Sequence, residues 1–348
     1  MAAYDGEPPE GGQGAVMSGM RRSLQARGVE VRAVTGRGND AIRYRHLLGR
    51  APLDFSLHLN AHPQVLVSPG SDLVHLHGGP GGVLMLRRLP APVVYTAHHT
   101  YRQAHSLGRP RRVLAPLEAR AYRSAAMVLP VSASTASAVA EMGVHPSRIE
   151  VIAPGIHPLS GTAPSPRDPS RLLFVGRLEP EKGPLDAVAV MAALLASGVA
   201  RSAAIIGDGH SREQVRRAAQ AAGGSVEFLG RVDDVTLHRE YSRAAVVLMP
   251  SRYEGLGLVA LEAMAAGAAV VGYDVDGLRD SVMPAGGGVL TPVGQVDRLV
   301  EACRELLTNP ARSGELGEHG RVHVLAHHTW ERVAGRVEEI YRAVLSDG

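Results

Sequence analysis

Short apolar runs alternate along the chain with longer alanine-rich or amphipathic stretches. Residues 244–249, Ala-Ala-Val-Val-Leu-Met, form a continuous apolar run closed by Pro250 and read as a buried strand. Residues 257–266 are built from Leu, Ala, Glu and Met, which favour helix, and Gly267 stands where a C-terminal cap belongs. Residues 268–273 then read as the next buried strand. The same rhythm predicts a helix over 15–27 closed by Gly28, strands over 29–34, 73–76 and 93–96, a helix over 112–126, and strands over 127–131 and 149–152. After a Pro/Ser/Gly-rich linker over 159–170 it resumes with strands at 171–175, 203–206 and 226–229. Helices are expected from Pro184, over 296–307 and over 330–345. Strands alternating with helices imply parallel sheets covered on both faces. The linker implies two domains, 1–158 and 171–325. Residues 1–14 carry turn chemistry, with at most 2–4 as the tail of a strand, so the first strand is expected to be truncated or absent. Residues 35–70 read as irregular and rich in arginine.

A chain of 348 residues is long for one core and natural for two. No apolar run approaches membrane-spanning length, and no apolar signal segment opens the sequence. The single Cys303 argues against a disulfide framework and fits a cytoplasmic location. Arginine and lysine together number 37, and only Lys182 is lysine.

The candidate chemistry gathers where loops follow strands, the zone in which open α/β sheets bind ligands. Gly255 and Gly257 let the backbone approach a ligand, and the first-turn amides of the following helix favour an anion. Glu254 and Glu262 are eight residues apart, about two helical turns plus 80°. They suit different parts of one extended ligand, although the stretch alone reads equally as a helix start with an acid at each end. Arg177 and Lys182 share a loop at a strand end, where two cations suit a diphosphate. His77, His98 and His99 also fall at strand ends, and Gly11 and Gly12 precede a helix. No carboxylate or cysteine spacing supports a metal, and Asp233-Asp234 reads as a turn or helix cap. Gly11-Gly12-Gln13-Gly14 lacks the spacing of a dinucleotide-binding turn.

Together these motifs resemble the family 4 retaining glycosyltransferases, over nearly the whole chain. The most specific piece is the Glu-x7-Glu pair Glu254 and Glu262 within Pro-Ser-x-x-Glu-Gly-x-Gly-Leu-x-x-x-Glu-Ala-Met-Ala-x-Gly. Gly176-Arg177-Leu178 with Lys182-Gly183, Gly207-Asp208-Gly209 and Phe228-Leu229-Gly230 support it. The Gly11-Gly12 loop, Thr96-x-His98, Ser132 and Trp330 fit more loosely.

The resemblance implies the α/β GT-B fold: two Rossmann-like domains with parallel sheets facing across a cleft. Residues 326–348 would form a helix crossing back to the N-terminal, acceptor-binding domain. It implies a nucleotide-diphosphate sugar as donor, same-face transfer to an acceptor hydroxyl, and no metal or other cofactor. Catalytic roles would fall to His98, which reaches the sugar, to Arg177 and Lys182 on the diphosphate, and to Glu254. Donor binding would involve Gly11, Gly12, Gly207, Gly230, Arg231, Gly255, Leu256, Gly257 and Leu258, with Glu262 accepting from the ribose hydroxyls. The sequence departs from the family pattern at His99, usually acidic, and at Pro154-Gly155-Ile156-His157, usually Asn-Gly-x-Asp. Base, sugar and acceptor stay open. A lipid-linked, glycan or small natural-product acceptor fits equally, as does peripheral contact with the inner membrane face. No nucleic-acid partner is expected. The alternatives are a nucleotide-sugar 2-epimerase on the same fold and a non-catalytic nucleotide-sugar-binding subunit.

Overall fold

The computed structural model describes residues 1–9, 11–104, 114–156, 166–222 and 226–346. The chain divides into two compact units, residues 1–155 with 329–348, and residues 156–328. Positions 159–165 of the expected linker, and His157, lie outside the described residues.

Unit 1 runs β1 (Ala2–Asp5), α1 (Gly12–Ala26), β2 (Val34–Arg37), α2 (Ala51–Ala61), β3 (Val74–Gly78), β4 (Val93–Ala97), α3 (Ala115–Ser124), β5 (Met127–Pro130) and α4 (Ala133–Ala140). Its strands form one parallel sheet in the order β2-β1-β3-β4-β5. The first strand is therefore present. It is four residues long, pairs with strands on both sides, and buries Ala2, Ala3 and Asp5.

Three expectations for this unit are corrected. Residues 29–33 are not strand, because β1 pairs Ala2 with Val34 and the residues before Val34 lie past its end. Residues 35–70 are not all irregular, since α2 anchors Phe55 and Leu59, four apart, in the core. Residues 149–152 make an isolated bridge, Val128 to Ile149, rather than a strand.

Unit 2 runs β6 (Asp168–Val175), α5 (Pro184–Ala196), β7 (Ser202–Ile206), α6 (Arg212–Ala221), β8 (Val226–Gly230), α7 (Asp234–Arg243), β9 (Ala244–Met249), α8 (Leu258–Ala265), β10 (Ala269–Tyr273), α9 (Asp276–Ala285), β11 (Gly288–Thr291), α10 (Val296–Thr308) and α11 (Pro310–His327). Its parallel sheet has the order β11-β10-β9-β6-β7-β8. β6 starts at Asp168, inside the expected linker, where the Asp168 carboxylate accepts from the Ser170 amide at 2.9 Å. Asp233 caps α7, accepting from the Thr236 amide at 2.8 Å.

The last helix, α12 (Trp330–Ser346), belongs to unit 1 and lies on α1. Trp330 packs so closely on Gly19 of α1 that any Cβ there would collide with the indole. Packing is thus the role the structure gives this tryptophan. Tyr341, about three turns further along the same face of α12, reaches the ring of His75 on β3.

A charged pair sits in the core of unit 2. Arg171 on β6 is fully buried and donates to Glu240 on α7 from Nε at 3.0 Å and from Nη2 at 2.6 Å. It also reaches Glu227 at 3.0 Å. Removing one partner of a buried ion pair costs about 3–5 kcal/mol, mostly because the other charge is stranded. Arg243 still approaches Glu240 at 3.1 Å, which places the expected cost at the low end. Arg171→Met should therefore destabilise the protein by about 3 kcal/mol in urea denaturation followed by circular dichroism. Arg171→Met with Glu240→Leu should recover most of that loss.

Candidate functional site

Strand order reverses once in each sheet. In unit 2 the chain builds β6, β7 and β8 in one direction and β9, β10 and β11 in the other. The loops after β6 and β9 therefore leave adjacent strand ends in opposite directions and open a crevice between them. The loop after β6 carries Arg177 and Lys182, and the loop after β9 carries Glu254 through Gly257. Lys182 Nζ donates to Glu254 Oε1 at 2.6 Å directly across this point. Ser251 Oγ donates to the same oxygen at 2.8 Å, so Glu254 Oε2 stands outside both bonds. The loops are also stitched by the Arg252 amide, which donates to the Glu181 carbonyl at 2.8 Å.

Two glycines make this approach sterically feasible. Gly183 has φ +64° and lies so close to the Pro250 carbonyl that a Cβ would collide with it. Gly257 has φ +88° and caps α8. A left-handed residue there turns the loop sharply into the helix and directs its first-turn amides outward.

Glu262 lies one turn further into α8, half-buried, and accepts from the Tyr241 hydroxyl of α7 at 2.8 Å. Burial lifts its carboxyl to about 7, against the pull of the Tyr241 bond, and Asp234 adds to the rise. Gly207 and Gly230 follow and end β7 and β8, joined by the Gly207 amide donating to the Gly230 carbonyl at 2.8 Å. Arg231 is exposed beside them, and Leu256 is buried under the loop. Arg177 is half-exposed and pairs with Glu181 at 3.5 Å rather than with Glu254. Unit 2 thus brings Lys182 and Glu254 into contact, while Arg177 and Glu262 each have a different partner.

In unit 1 the reversal falls between β1 and β3. Gly11 caps α1, and its amide donates to Asp5 Oδ2 at 3.0 Å. Arg37 Nε donates to the other oxygen at 3.0 Å. An internal carboxylate therefore occupies part of the expected anion cradle at Gly11 and Gly12. Gln13 Nε2 donates to the Gly78 carbonyl at 3.1 Å and ties this turn to the end of β3. His98 follows β4, is 8 % exposed, and is held at about 3 by burial, so it is neutral near pH 7. Its Nε2 lies 3.0 Å from His77 Nδ1.

Asp5, Ser251 and Tyr241 were not singled out by the sequence. Ser251 lies within the motif around Glu254, but Asp5 and Tyr241 make contacts with no local signature. Among the described residues, no three His, Cys, Asp or Glu side chains are grouped as metal ligands.

The chain is similar to known proteins over most of its length. The family model for glycosyl transferases group 1 matches residues 160–323, and that for glycosyltransferase family 4 matches residues 10–158. Glycogen synthase of Mycobacterium tuberculosis is 29% identical over 324 residues, 88% of this chain and 77% of that protein. A D-inositol 3-phosphate glycosyltransferase of Segniliparus rotundus is 30% identical over 309 residues, 79% of this chain and 67% of its own length. The solved structure of sucrose-phosphate synthase from Thermosynechococcus elongatus superposes with a TM-score of 0.79 at 24% identity, covering 97% of this chain and 94% of that one.

The raised Glu262 carboxyl makes stability depend on pH. Between about 4.5 and about 7 the unfolded chain has released this proton while the folded chain keeps it. The folded state therefore loses stability as pH rises through that window. Glu262→Gln removes the dependence, so its melting temperature relative to wild type should rise between pH 5 and pH 8 in calorimetry. A constant difference would place the Glu262 carboxyl in the ordinary range.

Proposed function

Because this chain belongs to glycosyltransferase family 4, the group 1 glycosyl transferases with the GT-B fold, it is a glycosyltransferase, and we propose that it transfers a sugar from a nucleotide-diphosphate donor with retention and without a metal ion. The observation that carries the reading is the Lys182–Glu254 contact across the reversal of strand order in unit 2. An ammonium has three donors. One goes to Glu254, and the other two are suited to the diphosphate. Arg177, on the same loop, adds a second cation. Glu254 Oε2 and the amides at Gly255, Leu256, Gly257 and Leu258 are assigned to the sugar and phosphates. Glu262, once ionised, accepts from the ribose hydroxyls, and Gly207, Gly230 and Arg231 border the base. By the family resemblance, Gly11, Gly12 and His98 are assigned to the donor as well.

The cations stabilise the charge that develops on the departing diphosphate. The C1–O bond breaks, an oxocarbenium-like sugar forms, and the acceptor oxygen attacks C1 from the face the diphosphate left. The acceptor proton passes to a phosphate oxygen of the leaving group. No protein base is required, which agrees with a His98 held neutral and engaged through Nε2. Positioning supplies much of the remaining acceleration.

The acceptor side is assigned to unit 1. Arg43, Arg45, Leu47, Leu57 and His58 line a cavity of about 390 Å³ beside α2. Leu47 and Leu48 are 69% and 59% exposed, and no ion pair engages Arg43, Arg45 or Arg50 among the described residues. Exposed leucines flanked by unpaired guanidiniums suit an anionic, lipid-linked acceptor and peripheral contact with an acidic bilayer. Among the described residues no helix is long and apolar enough to cross a membrane.

A panel of UDP-, GDP- and dTDP-sugars tests the donor reading by thermal shift and hydrolysis. One nucleotide class should stabilise the wild type, and Lys182→Ala should weaken that binding by about tenfold or more. Turnover should survive EDTA, and a strict divalent-metal requirement would overturn the metal-free assignment. For the acceptor face, the protein should co-sediment with phosphatidylglycerol vesicles but not phosphatidylcholine vesicles, and Leu47→Glu with Leu48→Glu should abolish this. Equal recovery with both lipids, or an undiminished variant, would remove the membrane from the reading.

A further inference from the structure

Three histidines form a stack inside unit 1, and the transfer chemistry above uses only His98 of them. His75 and His77 lie two apart on β3 and therefore share a face, and register sets His77 beside Thr96 of β4. The His75 and His77 rings stack at 5.1 Å with 13° between planes, and those of His77 and His98 at 5.2 Å with 25°. Burial holds all three well below the usual imidazole range, so each ring carries one proton.

The hydrogen bonds decide where these protons sit. His75 is fully occupied: Nε2 meets Thr96 Oγ1 at 2.8 Å, and Nδ1 meets the Tyr341 hydroxyl of α12. His77 Nδ1 and His98 Nε2 are 3.0 Å apart, and one N–H lies between them. The other nitrogen of His77, Nε2, is buried and has no partner among the described residues. If His98 donated, the proton of His77 would sit on that orphaned nitrogen, and a buried N–H would be left unpaired. If His77 donates from Nδ1, only a lone pair is orphaned. Unpaired buried donors are rarer than under-used acceptors, so the second arrangement is favoured.

We infer that His77 is a positioning residue for the transfer: by donating from Nδ1 to His98 Nε2 it fixes the His98 tautomer with the proton on Nδ1. His98 then meets the donor as a hydrogen-bond donor to a sugar oxygen, and its only basic nitrogen is turned inward. The tautomer follows from unit 1 alone. Its consequence for transfer rests on the proposed placement of His98 at the sugar.

Long-range proton–nitrogen correlation spectra of protein labelled with 15N-histidine read the tautomer directly. The signals of His77 and His98 can be picked out from those of the 16 histidines by difference with His77→Phe and His98→Phe. His77 and His98 should both show a protonated Nδ1 and a bare Nε2; a protonated His98 Nε2 would overturn the inference, whatever the enzyme transfers. His77→Phe keeps a stacked ring but removes the donor. It should release the His98 tautomer and lower kcat roughly ten- to a hundredfold with little change in donor KM. His77→Asn, which retains an N–H, should restore both the tautomer and most of kcat. A Phe variant with wild-type kcat, or Asn and Phe variants equally impaired, would also overturn the positioning role. Wild-type kcat in His98→Phe would instead refute the placement of His98 at the sugar and leave the spectroscopic result standing.

Discussion

A parallel sheet whose strand order reverses has one point where consecutive loops must part, and in unit 2 that point is bridged by Lys182 and Glu254. The consequences spread outward from this pair. Lys182 sits there because β6 ends at Val175 and its loop closes at Gly183, a residue in the left-handed region pressed against the Pro250 carbonyl. Glu254 sits there because β9 ends at Met249 and Gly257 redirects the chain into α8. A side chain at Gly183 would push the loops apart and lengthen a 2.6 Å contact that depends on their closeness, and one at Gly257 would have to take up left-handed backbone against Leu278. The apolar strands beneath, with Leu172, Phe174, Val246 and Leu248 in one core, hold both loop ends in register.

Much of this was legible in the sequence because it is local. The buried strands of unit 2 are continuous apolar runs, and β9 matches the predicted 244–249 at both ends. The loops carrying Lys182 and Glu254 could be placed at strand ends without coordinates. The lost elements are those whose identity depends on a distant partner. Residues 29–33 have strand composition, yet β1 extends no further along them. Residues 51–61 look irregular amid arginines, and only the shared burial of Phe55 and Leu59 marks them as helix. Tyr241 against Glu262 joins α7 to α8, and Asp5 against Gly11 joins a strand to a helix cap. Neither pairing leaves a spacing that can be read.

The two units control charge in different ways. In unit 2 the crevice is lined by groups that compensate one another: Lys182 with Glu254, and Arg177 with Glu181. On the proposed donor placement, an arriving diphosphate would not meet bare cations there and would compete with or join existing pairs. An ammonium tolerates this better than a guanidinium, because its three donors are not constrained to one plane. In a chain whose other cationic side chains, histidine apart, are all arginines, this gives the single lysine a physical reason for its position.

Unit 1 relies on burial instead. His75, His77 and His98 are neutral because desolvation opposes a second proton on each ring, and the fixed N–H directions then carry the information that charge carries in unit 2. Tyr341 brings α12 into this arrangement by closing the last free nitrogen of His75. Since α12 is anchored by Trp330 against Gly19 of α1, the helix that carries Tyr341 to the stack is itself held by the helix that follows the first strand. A buried imidazole with one proton and one partner has a single low-energy orientation. Burial therefore specifies a hydrogen-bonding direction at the end of β4, and the proposed contact between His98 and the sugar uses that direction.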